Sequence, residues 1–292
     1  MKPRDIALAL AAPVLWGVGF TFAKPALAQF PPMLMMVMIY VATTVLLLGR
    51  RRRLRTPLWA MLVIGACGGA VQSILIFSGL SHLPASTAVL VVQSQVPFAV
   101  LWAWLIGKER LSAARLVGIA TAIGGVALIA GAPEATSDYP SLLMVVLGAL
   151  VWAAAQALIR AFGRDDGPTM TGMIGLVSAP LALIGSLLFE SGQREALQTA
   201  TLANWGALAV VFLLGYLLAY SAWYQVLGRF RVDQVTPFIL LMPVAGVITG
   251  ALALGEHVSA RVLAGGAIIL VGLWIVVRVA AAPAPAVAAE RL

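Results

Sequence analysis

Residues 32–55 read PMLMMVMIYVATTVLLLGRRRRLR, an apolar run followed at once by a basic cluster. The run is close to the roughly 20 residues that a helix needs to cross the hydrocarbon core of a bilayer. Lys and Arg beside such a run mark its cytoplasmic end, because basic loops stay on the cytoplasmic side. This stretch therefore predicts a membrane-spanning helix and its direction.

The rest of the chain repeats the pattern. Of its 292 residues, 62% are hydrophobic and 10% are charged, and the mean hydropathy is +1.00. We predict ten spans, at 5–27, 32–49, 58–80, 85–106, 112–131, 141–162, 169–189, 203–227, 234–254 and 259–280. These runs lack the alternation of polar and apolar residues found in barrel strands. The predicted fold class is an all-α polytopic membrane protein with ten transmembrane helices.

The basic residues fall in every second connection between the predicted spans. With the N-terminus in the cytoplasm, 16 of the 19 basic residues lie on the cytoplasmic side: Lys2, Arg4, Arg50, Arg51, Arg52, Arg53, Arg55, Lys108, Arg110, Arg115, Arg160, Arg164, Arg229, Arg231, Arg278 and Arg291. Both termini are therefore expected in the cytoplasm. The net charge of +8 follows from these loops, which face anionic lipid, so membrane lipid and not nucleic acid is the expected partner.

Three further features concern the ends of the chain and its sulfur chemistry. The first apolar run continues through Trp16, Phe20 and Phe22 and is too long and bulky for a typical signal peptide, so we expect it to be retained. Cys67 is the single cysteine, which excludes an intrachain disulfide. Residues 281–292 alternate Ala with Pro and predict a disordered cytoplasmic tail.

The two halves of the chain share a pattern. Residues of the first half recur 147 positions later: Glu109, Ser112, Gly118 and Gly125 are answered by Glu256, Ser259, Gly265 and Gly272, and Pro97 by Pro243 after a slip of one. Likewise, Trp16, Phe20 and Lys24 correspond to Trp152, Gln156 and Arg160. We predict a first five-helix repeat at 1–131, a periplasmic linker at 132–140 and a second repeat at 141–280. Five spans are an odd number, so the second repeat is inverted, as in many secondary transporters.

Five groups of residues carry a resemblance to a known family. They are Trp16-Gly17 with Phe20 and Lys24; Val92-Gln93-Ser94-Gln95 ahead of Pro97; Glu109-Arg110-Leu111; Leu227-Gly228-Arg229 with Pro237 and Pro243; and Gly255-Glu256. Together they resemble the EamA-type members of the drug/metabolite transporter superfamily over residues 4–280, although Lys108 stands where that family usually has Gly. The resemblance implies a ten-helix exporter of the bacterial inner membrane that moves small metabolites, chiefly amino acids, to the periplasm. It also implies a central cavity, with the fifth and tenth helices at the edge.

Polar and aromatic side chains inside the spans are the candidate substrate contacts, because a polar group that faces lipid is costly. They are Trp16, Lys24, Gln72, Gln93, Gln95, Trp102, Trp152, Gln156 and Tyr220. Tyr220 and the tryptophans offer apolar faces with polar tips, which suit an amphiphilic solute such as an amino acid. The alternative for such aromatics is helix packing or an interfacial belt, to which Trp223 and Tyr224 are assigned.

Three of these candidates leave alternatives open. Lys24 either extends to the headgroups or anchors a loop, or it holds a substrate carboxylate or gates the outer mouth, and Arg160 has the same alternatives at the inner end. Gln93 and Gln95 are two residues apart, so a regular helix would direct them about 200° apart and only one would face a cavity. Pro97 could loosen that turn.

Pro97 and Pro243 occupy equivalent spans and could act as a pair of gating hinges or as static kinks. The small-residue spacings Gly65 to Gly69 and Gly246 to Gly250 are interpreted as helix-packing contacts. His82 is expected to be a solvated loop residue.

The sequence lacks the common catalytic and nucleotide-binding motifs. It contains no G-x-x-x-x-G-K-[ST], H-E-x-x-H or G-x-S-x-G pattern, so no enzyme activity, metal or cofactor is expected. We predict a secondary transporter that exports amino acids or similar metabolites by alternating access. The alternatives are a transporter of another solute, such as a drug or nucleotide sugar, or a channel or lipid-handling membrane protein. The sequence does not fix the oligomeric state.

Overall fold

The computed structural model describes residues 3–48, 54–107, 112–131, 138–227, 229–230 and 236–281, and no strand occurs within these ranges. In chain order the helices are α1 Pro3–Leu27, α2 Pro32–Leu48, α3 Leu58–His82, α4 Ala85–Val91 continuing through Val92–Ser94 to Gln95–Gly107, α5 Ala113–Ala130, α6 Tyr139–Phe162, α7 Gly167–Phe189, the short α8 Gln193–Thr199, α9 Leu202–Leu227, α10 Thr236–Leu240 continuing as Leu241–Leu254, and α11 Ala260–Ala281. The predicted all-α class is confirmed.

Within the described ranges, seven helices are long and apolar enough to cross a membrane: α1, α3, α4, α5, α6, α7 and α9. Shorter apolar runs lie in the other three large helices, at Pro32–Leu48, Phe238–Leu254 and Ala260–Val276. Large apolar side chains cover the outside, and on α7 the exposed fractions are 69% for Leu187, 69% for Leu188 and 78% for Phe189. Such a surface suits lipid and not water.

The helix ends are set by polar caps beside the apolar runs. Asp138 accepts a hydrogen bond from the Ser141 N–H at the start of α6, and Thr201 forms a capping box with Asn204 at the start of α9. Such side chains satisfy N–H groups that have no partner within the helix. Each described end of the ten large helices lies within two residues of its predicted position.

Several sequence predictions concern segments outside the described residues. These are the arginine run at 50–53, the Glu109-Arg110-Leu111 motif, Gly228, linker residues 132–137 and tail residues 282–292.

Close backbone approach joins helices of the first half of the chain to helices of the second half. A Cβ atom on Gly125 of α5 would lie 2.6 Å from the carbonyl oxygen of Gly265 on α11. A Cβ atom on Gly17 of α1 would likewise lie 2.5 Å from the carbonyl oxygen of Met242 on α10. Only glycine permits such contacts, which place α5 against α11 and α1 against α10.

The described residues include four irregular helical segments, two in each half of the chain. Wider π-helical turns occur at Ala66–Val71 in α3 and at Val211–Leu218 in α9. Tighter 3₁₀ turns occur at Val92–Ser94 in α4 and at Thr236–Leu240 in α10, just before Pro97 and Pro243. Proline lacks the N–H that would bond four residues back, and its ring crowds that carbonyl, which accounts for the two tight turns.

Candidate functional site

A central pocket lies among six helices, α1, α3, α4, α6, α9 and α10. It encloses about 550 Å³ of space between atoms, including its open part. Its lining residues are Trp16, Gly19, Phe20, Gln72, Ile76, Phe77, Val92, Gln95, Trp152, Val211, Gly215, Tyr216, Tyr220 and Met242. None of these side chains carries a formal charge at neutral pH, so the pocket suits a solute without a large net charge.

Aromatic rings form one wall of the pocket. The Trp16 ring centroid lies 5.1 Å from that of Tyr220 and 6.4 Å from that of Trp152, and Tyr220 and Trp152 are 5.4 Å apart, all with their edges directed at a neighbouring face. Such edge-to-face contacts hold the rings in fixed orientations. Trp223 packs against the far side of this group, 5.4 Å from Trp16.

Several buried side-chain groups have no hydrogen-bond partner among the described residues. They are the indole N–H groups of Trp16 and Trp223, the hydroxyls of Ser94 and Ser221, and both amide atoms of Gln156. Of these residues, Trp16 is the one that lines the pocket. A buried polar group without a partner costs about 1 to 3 kcal/mol. The Trp16 N–H is therefore a candidate donor to a solute, whereas Gln156 does not line the pocket.

The two glutamines of α4 have different positions. Gln95 lines the pocket, and its Nε2 donates to Oε1 of Gln93 at 3.0 Å. Gln93 donates through its own Nε2 to the carbonyl of Ile239, at 3.3 Å. That carbonyl lies four residues before Pro243 and so lacks its usual helical donor. Gln93 therefore joins α4 to α10, and the 3₁₀ turn at Val92–Ser94 allows both amides to lie together.

Gln72 belongs to a buried network that sequence reasoning did not find. Its Nε2 donates to Oγ of Ser73 at 2.5 Å, and Ser73 Oγ lies 2.9 Å from the hydroxyl of Tyr216. The hydroxyl of Tyr40 lies 2.7 Å from Ser73 Oγ and donates to the Gly69 carbonyl at 2.7 Å. The single polar ring within the apolar run of α2 was the available signal for Tyr40.

A second, smaller cavity adjoins the pocket and contains about 270 Å³ of space between atoms, including its open part. It is lined by Tyr40, Thr43, Gly68, Thr171, Ile174, Tyr216, Tyr220 and Tyr224. Tyr216 and Tyr220 line both cavities, and their ring centroids are 5.0 Å apart. These two rings therefore form the partition between the two cavities.

The structure places five of the nine candidate contacts on the pocket and four elsewhere. Those on the pocket are Trp16, Gln72, Gln95, Trp152 and Tyr220, and the others are Lys24, Gln93, Trp102 and Gln156. Lys24 donates to the carbonyls of Leu80 and Ser81 at the end of α3, at 3.1 Å each. Trp102 donates to the Leu150 carbonyl of α6 at 3.2 Å, a packing contact.

The exposed histidine at the end of α3 lies near an acid. His82 Nδ1 is 4.0 Å from Oδ2 of Asp138. Hydrogen bonds from the hydroxyl and the backbone N–H of Ser141 lower the pKa of the Asp138 carboxyl, and His82 contributes in the same direction. Asp138 is thus an ionised helix cap outside the pocket.

The sequence profile of the EamA-like transporter family matches two segments of the chain, residues 4–131 and 140–278. The chain belongs to the EamA-like transporter family. It is a multi-pass membrane protein, and the family resemblance read from its short motifs is confirmed.

Curated relatives cover nearly the same length. The chain is 28% identical over 287 residues to a probable amino-acid metabolite efflux pump of Salmonella typhimurium, a match that covers 94% of this chain and 95% of that protein. It is 25% identical to a protein of the same description in Escherichia coli, with 94% and 95% covered. It is 27% identical to a probable terminal-alkyne amino-acid exporter of Streptantibioticus cattleyicolor, with 79% and 76% covered.

A solved crystal structure has the same fold as this EamA-like chain. The TM-score is 0.69 at 21% identity, and the match covers 97% of this chain and 100% of the other. That likeness concerns the arrangement of the helices alone.

Proposed function

We propose that this protein is a secondary transporter that exports amino acids or similar small metabolites across the bacterial inner membrane. The observation that carries the proposal is the uncharged pocket of aromatic rings and amides between helices of the two halves of the chain. The names of the relatives, an amino-acid metabolite efflux pump and an amino-acid exporter, support the solute class and the direction.

The architecture proposed for this transporter is ten spans in two inverted repeats, residues 1–131 and 141–280, with both termini in the cytoplasm. Two observations support it. The family profile matches two segments with nearly these bounds. The irregular turns also come in pairs, since the π-helical turns of α3 and α9 and the 3₁₀ turns before Pro97 and Pro243 fall at equivalent places in the two halves. An inverted repeat places the substrate between the halves and supports alternating access.

The polar groups of the pocket match the two ends of an amino acid. The Nε2 atoms of Gln72 and Gln95 are already bonded, to Ser73 and to Gln93, which leaves their Oε1 atoms as acceptors for an ammonium group. The Trp16 N–H is the complementary donor for a carboxylate. Phe20, Phe77 and Met242 would then surround the side chain of the solute.

Transport by the purified protein in liposomes tests the proposal. We expect saturable, side-specific movement of labelled zwitterionic amino acids, recovered chemically unchanged, and weaker movement of amino acids with a charged side chain. Trp16→Ala should lower transport roughly tenfold, because a lost aromatic contact of about 1.4 kcal/mol is a factor of ten. Trp104→Ala is the matched control, since Trp104 is 47% exposed and outside the pocket. Flux that does not saturate would indicate a channel and contradict the proposal.

A further inference from the structure

The connection between α3 and α4 is a sharp turn with two helix ends side by side. Only Leu83 and Pro84 separate His82 from Ala85. The last carbonyls of α3 and the first N–H groups of α4 therefore point into the same small region. A helix carries partial negative charge at its C-terminal end and partial positive charge at its N-terminal end.

A cation from α1 faces the end of α3. Lys24 Nζ donates to the carbonyls of Leu80 and Ser81, at 3.1 Å each. No N–H group within α3 is available to bond these last carbonyls. The Lys24 ammonium therefore satisfies two of them, and its positive charge matches their partial negative charge. The site is partly buried, which strengthens the attraction relative to open water.

An anion that follows α10 faces the start of α4. The Glu256 carboxylate accepts from the N–H of Ala85 at 2.7 Å and from the N–H of Ser86 at 2.9 Å, one bond to each oxygen. Gly255 ends α10 with a φ of +64°, which turns the chain back so that the Glu256 N–H reaches the Gly250 carbonyl. Charge-assisted bonds of this kind are about twice as strong as neutral ones.

Lys24 on α1 and Glu256 just after α10 both bind the turn between α3 and α4. The helices α1 and α10 are themselves joined. Lys24 and Glu256 attract each other electrostatically, but within the part of the chain that the structure describes they form no direct ion pair. The hydroxyl groups of Thr21 on α1 and Thr249 on α10 are 2.7 Å apart. The turn is thus bonded at both of its helix ends to the α1–α10 pair.

The contact between α1 and the turn that joins α3 to α4 is tight and adjoins the pocket. Ala23, Ala26 and Leu80 are 0% exposed and Leu83 is 1% exposed. Phe20 lies one helical turn from Lys24, and Phe77 lies one turn from Leu80 and Ser81, and both line the pocket. Separation of the turn from α1 would therefore open the pocket at this end.

We propose that Lys24 and Glu256 form a charge clamp that holds the periplasmic mouth of the pocket closed by matching the opposite ends of α3 and α4. Lys24 and Glu256 are then positioning residues, and release of the clamp limits the rate of outward opening. The assignment of the clamp to the periplasmic side rests on the proposed function, which places both termini in the cytoplasm.

A charge-reversal series tests the clamp. All variants carry Cys67→Ser, with Ile76→Cys as a reporter in the pocket, and the measurement is the labelling rate in intact cells by a maleimide that does not cross the membrane. We expect Lys24→Gln and Glu256→Gln each to raise the labelling rate at least threefold, and Lys24→Arg to stay near the parent. Arg194→Gln and Glu195→Gln are matched controls, because they remove one cation and one anion from exposed positions on α8.

The double variant Lys24→Glu with Glu256→Lys separates the clamp from an ordinary ion pair. Exchange of the charges would restore a simple pair, whereas in the clamp each charge would now face a helix end of its own sign. We expect labelling in the double variant at least as fast as in either single variant. Parent-like labelling in the double variant, or unchanged labelling in both single variants at equal protein abundance, would overturn the clamp. The proposed function fails separately, if the parent protein shows no saturable transport in liposomes.

Discussion

Gln93 and Gln95 show how two identical side chains two residues apart acquire different surroundings. The amide of Gln93 is bonded to the backbone of α10, whereas Gln95 lines the pocket. Gln95→Leu should therefore raise KM for the transported solute by about tenfold, the cost of one net hydrogen bond of about 1 to 1.5 kcal/mol. Gln93→Leu should instead lower thermal stability. Concentration-dependent transport and melting of both variants check this, and a reversed pattern would contradict the assignment.

The contribution of the Trp16 indole N–H to solute binding can be separated from the contribution of its ring. Trp16→Phe keeps an aromatic face but removes the donor, and a hydrogen bond to a charged group contributes about 1.5 to 3 kcal/mol. We expect KM for amino acids to rise by about 10- to 100-fold, with little change for the corresponding amino-acid amides, which lack the carboxylate. Trp102→Phe is the control, because the Trp102 N–H bonds to Leu150 outside the pocket. Equal losses for acids and amides would show that Trp16 does not recognise the carboxylate.

At the scale of helix pairs, adjacent glycines on α5 provide an internal comparison. A side chain on Gly125 would collide with the backbone and side chain of α11, at 2.6 Å from the Gly265 carbonyl, whereas one on Gly124 meets nothing within 4 Å. Gly125→Val should destabilise the protein by about 1 to 3 kcal/mol, the usual cost of overpacking. Gly124→Val should have little effect. Thermal melting in detergent measures both, and equal melting points would contradict the close α5–α11 contact.

The paired prolines permit a test of the hinge interpretation. Pro97→Ala and Pro243→Ala restore the N–H that each tight turn lacks and should extend the regular helix. If the turns are hinges, the maximal transport rate should fall severalfold while KM and thermal stability change little. In Pro243→Ala the restored N–H would also compete with Gln93 for the Ile239 carbonyl. Unchanged rates in both variants would identify the turns as static kinks.

For the whole molecule, the arrangement in the membrane is open to direct measurement. With Cys67→Ser as background, Arg55→Cys before α3 and His82→Cys at its last residue report the two ends of that helix. We expect an impermeant maleimide added outside intact cells to label position 82 and not position 55. Labelling of both positions from the same side would remove the inverted architecture and the proposed orientation with it.

The fixed thickness of the bilayer explains why the ends of the helices could be predicted so closely from the sequence. Each apolar run has to match the thickness of a bilayer, so hydropathy fixes the ends of α3 or α6 to within two residues. Pocket membership depends on the rotation of each helix, and runs that are apolar on every side carry little information about rotation. Trp152 and Trp102 therefore could not be separated from the sequence.

The hydrogen-bond partners of Lys24 could not be predicted from the sequence, for a different reason. Its acceptors are the backbone carbonyls of Leu80 and Ser81, and a backbone group gives no signal in the sequence. Glu256 comes just after a helix in the sequence, but the helix that it caps is α4, 170 residues away along the chain. Contacts between distant helix ends require the fold.

The partition formed by Tyr216 and Tyr220 has a consequence for the energy supply of the cell. Two cavities that meet at tightly packed rings do not provide a continuous column of water, and protons and sodium ions need such a column to leak down their gradients. A metabolite large enough to contact both rings would displace them in turn as it passes, whereas a small ion would gain too little from such contact to do so. The packed rings would therefore limit the uncoupled leakage of protons and sodium ions through this molecule.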